Sequence, residues 1–242
     1  MIKKMVLVFV LLLFPSISFA DELVLEKGKG VAVCEAYLES IKRLSLQEMV
    51  CGEKLESNDI KRPKWERLEL KENKELTRKI EKFLEGGDQF VKVKMYDDEK
   101  EFEHYLNGPL KNSFIRIAEV DIANSGKAEK VLLYNARLCK IERRYYYARP
   151  LLILDEAKNQ IDVKKTEPLL QNTTKEDADI GLLAIGHEYK AYDILFYKDT
   201  AYFNRWDVDD WTLTVYRQLN NKVKEVCMYK YIFDKPLIKE DY

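Results

Sequence analysis

From about residue 112 onward, the chain consists of segments rich in β-branched and aromatic residues that are separated by short polar turns. The segments "LLILDEAKNQIDV", "AYDILFYKDTAYFNRW" and "WTLTVYRQLNNKVKEVCMYKYIF" each have the pattern of two strands around a tight turn. Asn220-Asn221 in the last segment can accept the left-handed backbone that such a turn requires. Strands joined in this way lie side by side and run antiparallel. The pattern therefore predicts a mainly antiparallel β meander over residues 111–242.

Residues 21–110 have helical periodicity instead. In "VAVCEAYLESIKRL", "NKELTRKIEKFLEGG" and "DDEKEFEHYLNGP", apolar residues recur at spacings of three and four, which places them on one helix face. The Gly86-Gly87 and Asn107-Gly108-Pro109 stretches are typical helix ends. The sequence therefore predicts an α+β fold, with a helical N-terminal part packed on the β meander in one compact unit.

The first twenty residues, "MIKKMVLVFVLLLFPSISFA", have the pattern of an export signal. Lys3 and Lys4 precede an apolar segment that is short for a membrane span, and Ser18 and Ala20 are the small residues expected before a cleavage site. The alternative is a membrane anchor. We expect cleavage after Ala20, no lipid or stable membrane anchor, and a periplasmic or secreted protein.

The charge balance argues against a nucleic-acid partner. The chain has 41 Lys+Arg and 42 Asp+Glu, and removal of the signal would take away Lys3 and Lys4 only, leaving a net charge of about −3. A protein partner is therefore the expectation.

Four cysteines, Cys34, Cys51, Cys139 and Cys227, lie in the part that would be exported. An even number of cysteines in an oxidising compartment favours disulfides, and four cysteines allow three pairings that spacing alone does not separate. The prediction is Cys34–Cys51 within one helical segment and Cys139–Cys227 between two strand-like segments. A zinc site is disfavoured because the chain has no C-x-x-C pair.

The segment "IRIAEVDIANSGKAEKVLLYN" contains a polar loop between two apolar runs. Asp121, Gly126 and Glu129 fit a D-x-D-x-D-G calcium turn, but Ala123 and Ser125 stand at the two middle ligand positions. Residues 121–129 resemble the calcium hairpins of FG-GAP and VCBS-type repeat proteins, in which such a loop binds calcium structurally. With two carboxylates missing, the prediction is a hairpin turn without a metal.

Catalytic patterns are scarce. The two histidines, His104 and His187, belong to no recognised metal or hydrolase motif, and we predict no catalytic residue, cofactor or metal. The densest candidate for binding a partner is "RWDVDDW", in which carboxylates lie between two indoles. Its residues are Trp206, Asp207, Asp209, Asp210 and Trp211. The alternatives are carboxylate-dependent glycoside hydrolysis and a solvated turn whose tryptophans face the core.

The "VCEAYL" cysteine helix before a β-rich body resembles the pattern of uncharacterised secreted bacterial proteins. Three functions remain open from sequence. The favoured one is an exported, non-catalytic binding protein, such as an inhibitor or immunity protein of the bacterial envelope. The others are a carboxylate-dependent hydrolase of an envelope polymer and a structural or assembly factor of the envelope.

Overall fold

The computed structural model describes residues 22–51, 55, 57–84, 96–135, 149–170, 190–208, 210–219 and 222–233. In this part the strands are β1 (Glu22–Lys27), β2 (Ile60–Lys61), β3 (Glu66–Glu69), β4 (Phe114–Val120), β5 (Glu129–Asn135), β6 (Leu151–Asp155), β7 (Gln160–Ile161), β8 (Lys190–Tyr197), β9 (Thr200–Asp207), β10 (Thr212–Leu219) and β11 (Lys222–Ile232). The helices are α1 (Ala32–Ile41), α2 (Leu46–Cys51), α3 (Lys74–Leu84), α4 (Glu99–Asn107) and α5 (Val163–Leu170).

The strands form two antiparallel sheets, one with six strands and one with five. The larger sheet has the order β1-β11-β10-β9-β8-β2, and the smaller one has the order β3-β4-β5-β6-β7. The expected meander is present in both sheets, and the β8–β9 turn at Lys198-Asp199 has the left-handed backbone of a tight hairpin. The Asn220-Asn221 turn lies outside the described residues.

The core between the two sheets is apolar. Ile194 and Phe203 of the six-stranded sheet belong to the same buried cluster as Leu133 and Leu151 of the five-stranded sheet. Because side chains alternate along a strand, each sheet has a second face to cover. α1 and α2 cover that face of the six-stranded sheet, where Tyr37, Ile41 and Met49 pack with Leu213 and Tyr229.

On the five-stranded sheet, α3 and α4 supply the outer cover. A buried carboxylate fixes this packing, since Glu81 of α3 accepts hydrogen bonds from the hydroxyls of Tyr96 (3.3 Å), Tyr105 (3.2 Å) and Tyr134 on β5. Three phenol donors satisfy a group that would otherwise be costly to bury at 4 % exposure.

The fold is a mixed α and β structure dominated by antiparallel sheet, but the division between a helical part and a β part is less sharp than the sequence predicts. The expected helices form, with Asp98 capping α4 through bonds to the amides of Lys100 and Glu101. Residues 21–110 also provide three strands, and β1 and β2 are the two edges of the six-stranded sheet. These strands are short, and only Leu23 and Leu25 of β1 face the core, so their alternation is weak in sequence.

The predicted disulfide pairing is wrong. Cys34 of α1 is bonded to Cys227 of β11, so neither Cys34–Cys51 nor Cys139–Cys227 forms. Cys51 is also disulfide-bonded, and Cys139 lies outside the described residues. Gly28 lies directly against this bond: its φ is +95°, and a Cβ there would lie 2.6 Å from Cys34 Sγ. The turn after β1 therefore requires glycine both for its backbone and for the space that the sulfur occupies.

Candidate functional site

Several charged side chains lie near one another at the seam between the two sheets. Residues 62–65 connect β2 of the six-stranded sheet directly to β3 of the five-stranded sheet. Nearby, Arg149 forms a parallel bridge with Ala191 of β8, with its amide bonded to Lys190 O (2.9 Å) and its carbonyl to Tyr192 N (3.0 Å). Since Arg149 precedes β6, the chain joins the two sheets a second time at this point.

Asp193 of β8 is the carboxylate at the seam. Its side chain is 5 % exposed and pairs with Arg62, with 2.8 Å between Oδ2 and Nη2. Its Oδ1 accepts from the amide of Ile194 (2.8 Å). The guanidinium of Arg149, on a residue that is 7 % exposed, donates from Nε to the carbonyl of Tyr192 (2.7 Å). The buried guanidinium of Arg149 and the half-buried guanidinium of Arg62 therefore share the surroundings of one buried carboxylate.

Two further arginines lie opposite each other on the five-stranded sheet. Arg67 of β3 and Arg116 of β4 are direct register partners. The neighbouring pair on β4 and β5, Ile115 and Tyr134, faces α3, because the Tyr134 hydroxyl donates to Glu81. Arg67 and Arg116 therefore lie on the opposite face, toward the six-stranded sheet. Like charges that face each other across two strands destabilise a sheet unless an anion or a ring separates them.

The ring of Phe114 occupies part of that space. The guanidinium carbons of Arg67 and Arg116 lie 4.0 and 5.2 Å from its centroid, and Arg67 also pairs with Glu69 on its own strand (2.7 Å). Cation–π contact and this exposed ion pair offset the repulsion, and Arg116 has a further interaction besides these.

These side chains surround a cavity of about 440 Å³. Its lining residues are Arg62, Pro63, Trp65, Arg67, Phe114 and Arg116. Two donors on the lining residues, Nη1 of Arg62 and Nε1 of Trp65, are buried and have no acceptor within the described part of the chain. A buried donor without an acceptor costs about 1–3 kcal/mol. A cavity lined by guanidiniums and rings is suited to an anion.

The local electrostatics agree with this interpretation. Burial lowers the pKa of Arg116, and the nearby Asp193 acts in the opposite direction. The pKa of Arg149 is lowered by burial as well, with Asp193 raising it and the charges of Arg62 and Arg116 lowering it further. A bound anion would stabilise the charged form of these guanidiniums in the way that Asp193 already does.

The sequence-predicted binding patch does not form one surface. Trp206 is 1 % exposed and packs in the core beneath α1 and α2, which removes it from any contact surface. Asp207 is half-buried at the end of β9, Asp210 is exposed, and Asp209 lies outside the described residues. Trp211 is half-buried, with its ring centroid 5.1 Å from that of Phe233. Asp210 and parts of Asp207 and Trp211 remain available at the surface of the described structure.

The 121–129 loop is a hairpin turn in which the calcium-type residues bond to protein atoms. The Asp121 carboxylate accepts from the amides of Ser125 (2.8 Å) and Gly126 (2.6 Å). Asn124, at φ +52°, bonds across to the other sheet, to both backbone groups of Ala201 (3.1 and 3.0 Å) and the carbonyl of Gln218 (3.2 Å). Among the described residues there is no cluster of three or more His, Cys, Asp or Glu that could hold a metal ion.

We expect calcium to leave the melting temperature of the protein unchanged. Asn124→Ala should lower the free energy of unfolding by about 2 kcal/mol, because it removes hydrogen bonds between the two sheets. Thermal and urea unfolding with calcium or with a chelator measure both effects, and Ser125→Ala in the same loop is the control. A calcium-dependent rise in melting temperature that Asp121→Ala abolishes would contradict this prediction.

The remaining sequence candidates contribute little to a site. His104 is exposed on α4, as expected, and His187 lies outside the described residues. The export-type segment at residues 1–20 also lies outside them, and no helix in the described part of the chain is long and apolar enough to cross a membrane. No family model, curated protein or solved structure matches the chain.

Sequence reasoning missed the seam residues because "IKRPKW" lies between two segments of helical periodicity and has no clear strand alternation of its own. Two signals point to the site in retrospect. Arg116 in "SFIRIAEV" and Asp193 in "AYDILFY" are charged residues inside apolar strands, where a charge requires a partner.

Proposed function

We propose that the protein is an exported, non-catalytic binding protein of the bacterial envelope and that its seam cavity binds an anionic group of the ligand. The observation that carries the proposal is the facing pair Arg67 and Arg116 beside Arg62 on one cavity wall. Clustered arginines act as recognition sites for carboxylate and phosphate groups, because a guanidinium presents several donors in a fixed plane.

Export is supported by two features. The pattern of residues 1–20 is that of a cleavable signal. The buried Cys34–Cys227 bond suits an oxidising compartment, where disulfides form and persist.

A binding role has more support than hydrolysis. The described lining of the cavity contains no carboxylate, hydroxyl or thiol, whereas polymer hydrolysis would require a pair of carboxyl groups flanking the bond to be cleaved. Asp193 lies behind the lining and is engaged by Arg62. If the protein is an inhibitor or immunity protein, the anionic group belongs to its protein partner.

The test uses inorganic phosphate at constant ionic strength. We expect phosphate to raise the melting temperature of the wild-type protein. Arg116→Gln should weaken phosphate binding at least tenfold, because a hydrogen bond to a charged group contributes about 1.5–3 kcal/mol. The control is Arg78→Gln, which removes an arginine that bonds to Glu75 and Glu99 beside α3.

Two outcomes would contradict the proposal. One is an equal response of wild type and Arg116→Gln to phosphate, since binding would then occur elsewhere. The other is turnover of an envelope polymer by the purified protein, which would remove the non-catalytic assignment.

A further inference from the structure

Resting on this proposed function, we propose that the ligand carries its oxyanion on a planar ring and that this ring packs against Trp65. The seam cavity has two kinds of wall, guanidiniums and rings, and the two rings differ in what they already contact. Phe114 is covered by Arg67 at 4.0 Å and approached by Arg116. Its face is therefore occupied by the protein itself.

Trp65 is in a different position. Its side chain is half-buried at the edge of the apolar core. Within the described part of the chain, neither an aromatic ring nor a cation stacks on its indole, and its Nε1 donor has no acceptor. A tryptophan at a cavity wall offers a large flat surface and one donor at its edge, which suits a ligand that is both flat and able to accept a hydrogen bond.

Arg62 supplies the second donor. Its Nη2 bonds to Asp193 at 2.8 Å, whereas Nη1 has no acceptor. A carboxylate or a phosphate has at least two acceptor oxygens, so such a group carries an acceptor for each of these two donors. Both donors are shielded from water by the protein itself, so the half-exposed indole must turn before Nε1 can donate to a ligand in the cavity. Binding should therefore change the fluorescence of Trp65.

The volume limits the size of the ligand. A water molecule takes about 30 Å³ of the liquid, and small-molecule pockets range from about 300 to 1,000 Å³. The seam cavity, at about 440 Å³, is at the small end of that range. It has room for an oxyanion with one or two rings, whereas a folded partner could insert only a single side chain or a chain terminus.

The experiment compares compounds that contain the oxyanion, the planar ring, or both. The probes are phenyl phosphate, inorganic phosphate and phenol, with benzoate, acetate and benzamide as the carboxylate series. We expect each aromatic anion to bind at least tenfold more tightly than the anion without a ring, measured by calorimetry at constant ionic strength, and the neutral rings not to bind measurably. The tighter of the two aromatic anions identifies the oxyanion.

Two variants of one residue separate the ring from its donor. Trp65→Leu should abolish the advantage of the aromatic anions, whereas Trp65→Phe keeps a ring and should retain most of it. The tryptophan fluorescence change on binding should be absent from both variants. If inorganic phosphate binds through Arg116 but the ring adds nothing, the ring assignment is wrong and the anion site stands. If no anion binds, both proposals are wrong.

Discussion

Replacement of both Cys34 and Cys227 by alanine should lower the free energy of unfolding by about 5 kcal/mol. The two residues are 193 positions apart, so the bond closes almost the whole described chain into one loop. In the chain-entropy treatment, a loop of this length corresponds to about 5 kcal/mol at 25 °C, and measured losses for native disulfides are about 2–5 kcal/mol. Since domains of ordinary stability have about 5–15 kcal/mol in total, the effect is large.

Alanine is the suitable replacement because both cysteines are fully buried, and serine would add an unpaired hydroxyl. Urea unfolding of the oxidised proteins measures the loss. The control is Lys27→Ala, which breaks an exposed ion pair with Glu225 on the same two strands and should have little effect. Non-reducing peptide mapping that joins Cys34 to Cys51 would refute the expected bond, as would an alanine double variant as stable as wild type.

The hairpins could be predicted from sequence because the information for them is local. The Lys198-Asp199 turn sits between two alternating strands, and its left-handed backbone is what the tight connection requires. The disulfide could not be predicted, because its formation depends on how α1 packs against β11. Cys34 and Cys51 are neighbours in sequence, but α1 packs on the face of the six-stranded sheet that carries Cys227. Sequence proximity contains no information about that packing.

The candidate site also depends on packing between elements that are distant in sequence. The "RWDVDDW" segment is predicted as a partner-binding patch, with a turn whose tryptophans face the core as one alternative. β9 continues to Asp207, and its alternation places Trp206 on the same buried face as Tyr202 and Asn204, as that alternative has it. The charges of Arg116 and Asp193 within apolar strands were detectable signals of a buried polar site. Their meeting with Arg62 was not predictable, since it arises only where β2 and β3 pass from one sheet to the other.

Asp193→Asn should destabilise the protein by about 3–5 kcal/mol. The substitution keeps the shape of the side chain but removes the negative charge beside Arg62 and Arg149. Asp193 raises the pKa of Arg149 while Arg62 lowers it, so the variant leaves buried guanidiniums that repel each other. Loss of one partner from a buried ion pair costs about 3–5 kcal/mol, whereas an exposed pair contributes little. Asp97→Asn, which breaks the exposed pair with Lys82, is therefore the matched control.

Asp193→Asn also tests anion binding at the seam cavity. It should increase the response of the melting temperature to phosphate, whereas Arg116→Gln should decrease it. Asp193 and an external anion act on the same guanidinium group, so the loss of the internal carboxylate should increase the dependence of the fold on an added one. We expect phosphate to raise the melting temperature of Asp193→Asn by more than that of wild type, and to restore part of the lost stability under conditions in which the variant is partly unfolded. Equal phosphate responses of wild type, Asp193→Asn and Asp97→Asn would show that Asp193 does not influence anion binding at the seam. A larger response of Asp193→Asn alone would show that Asp193 and the bound anion stabilise the same arginines.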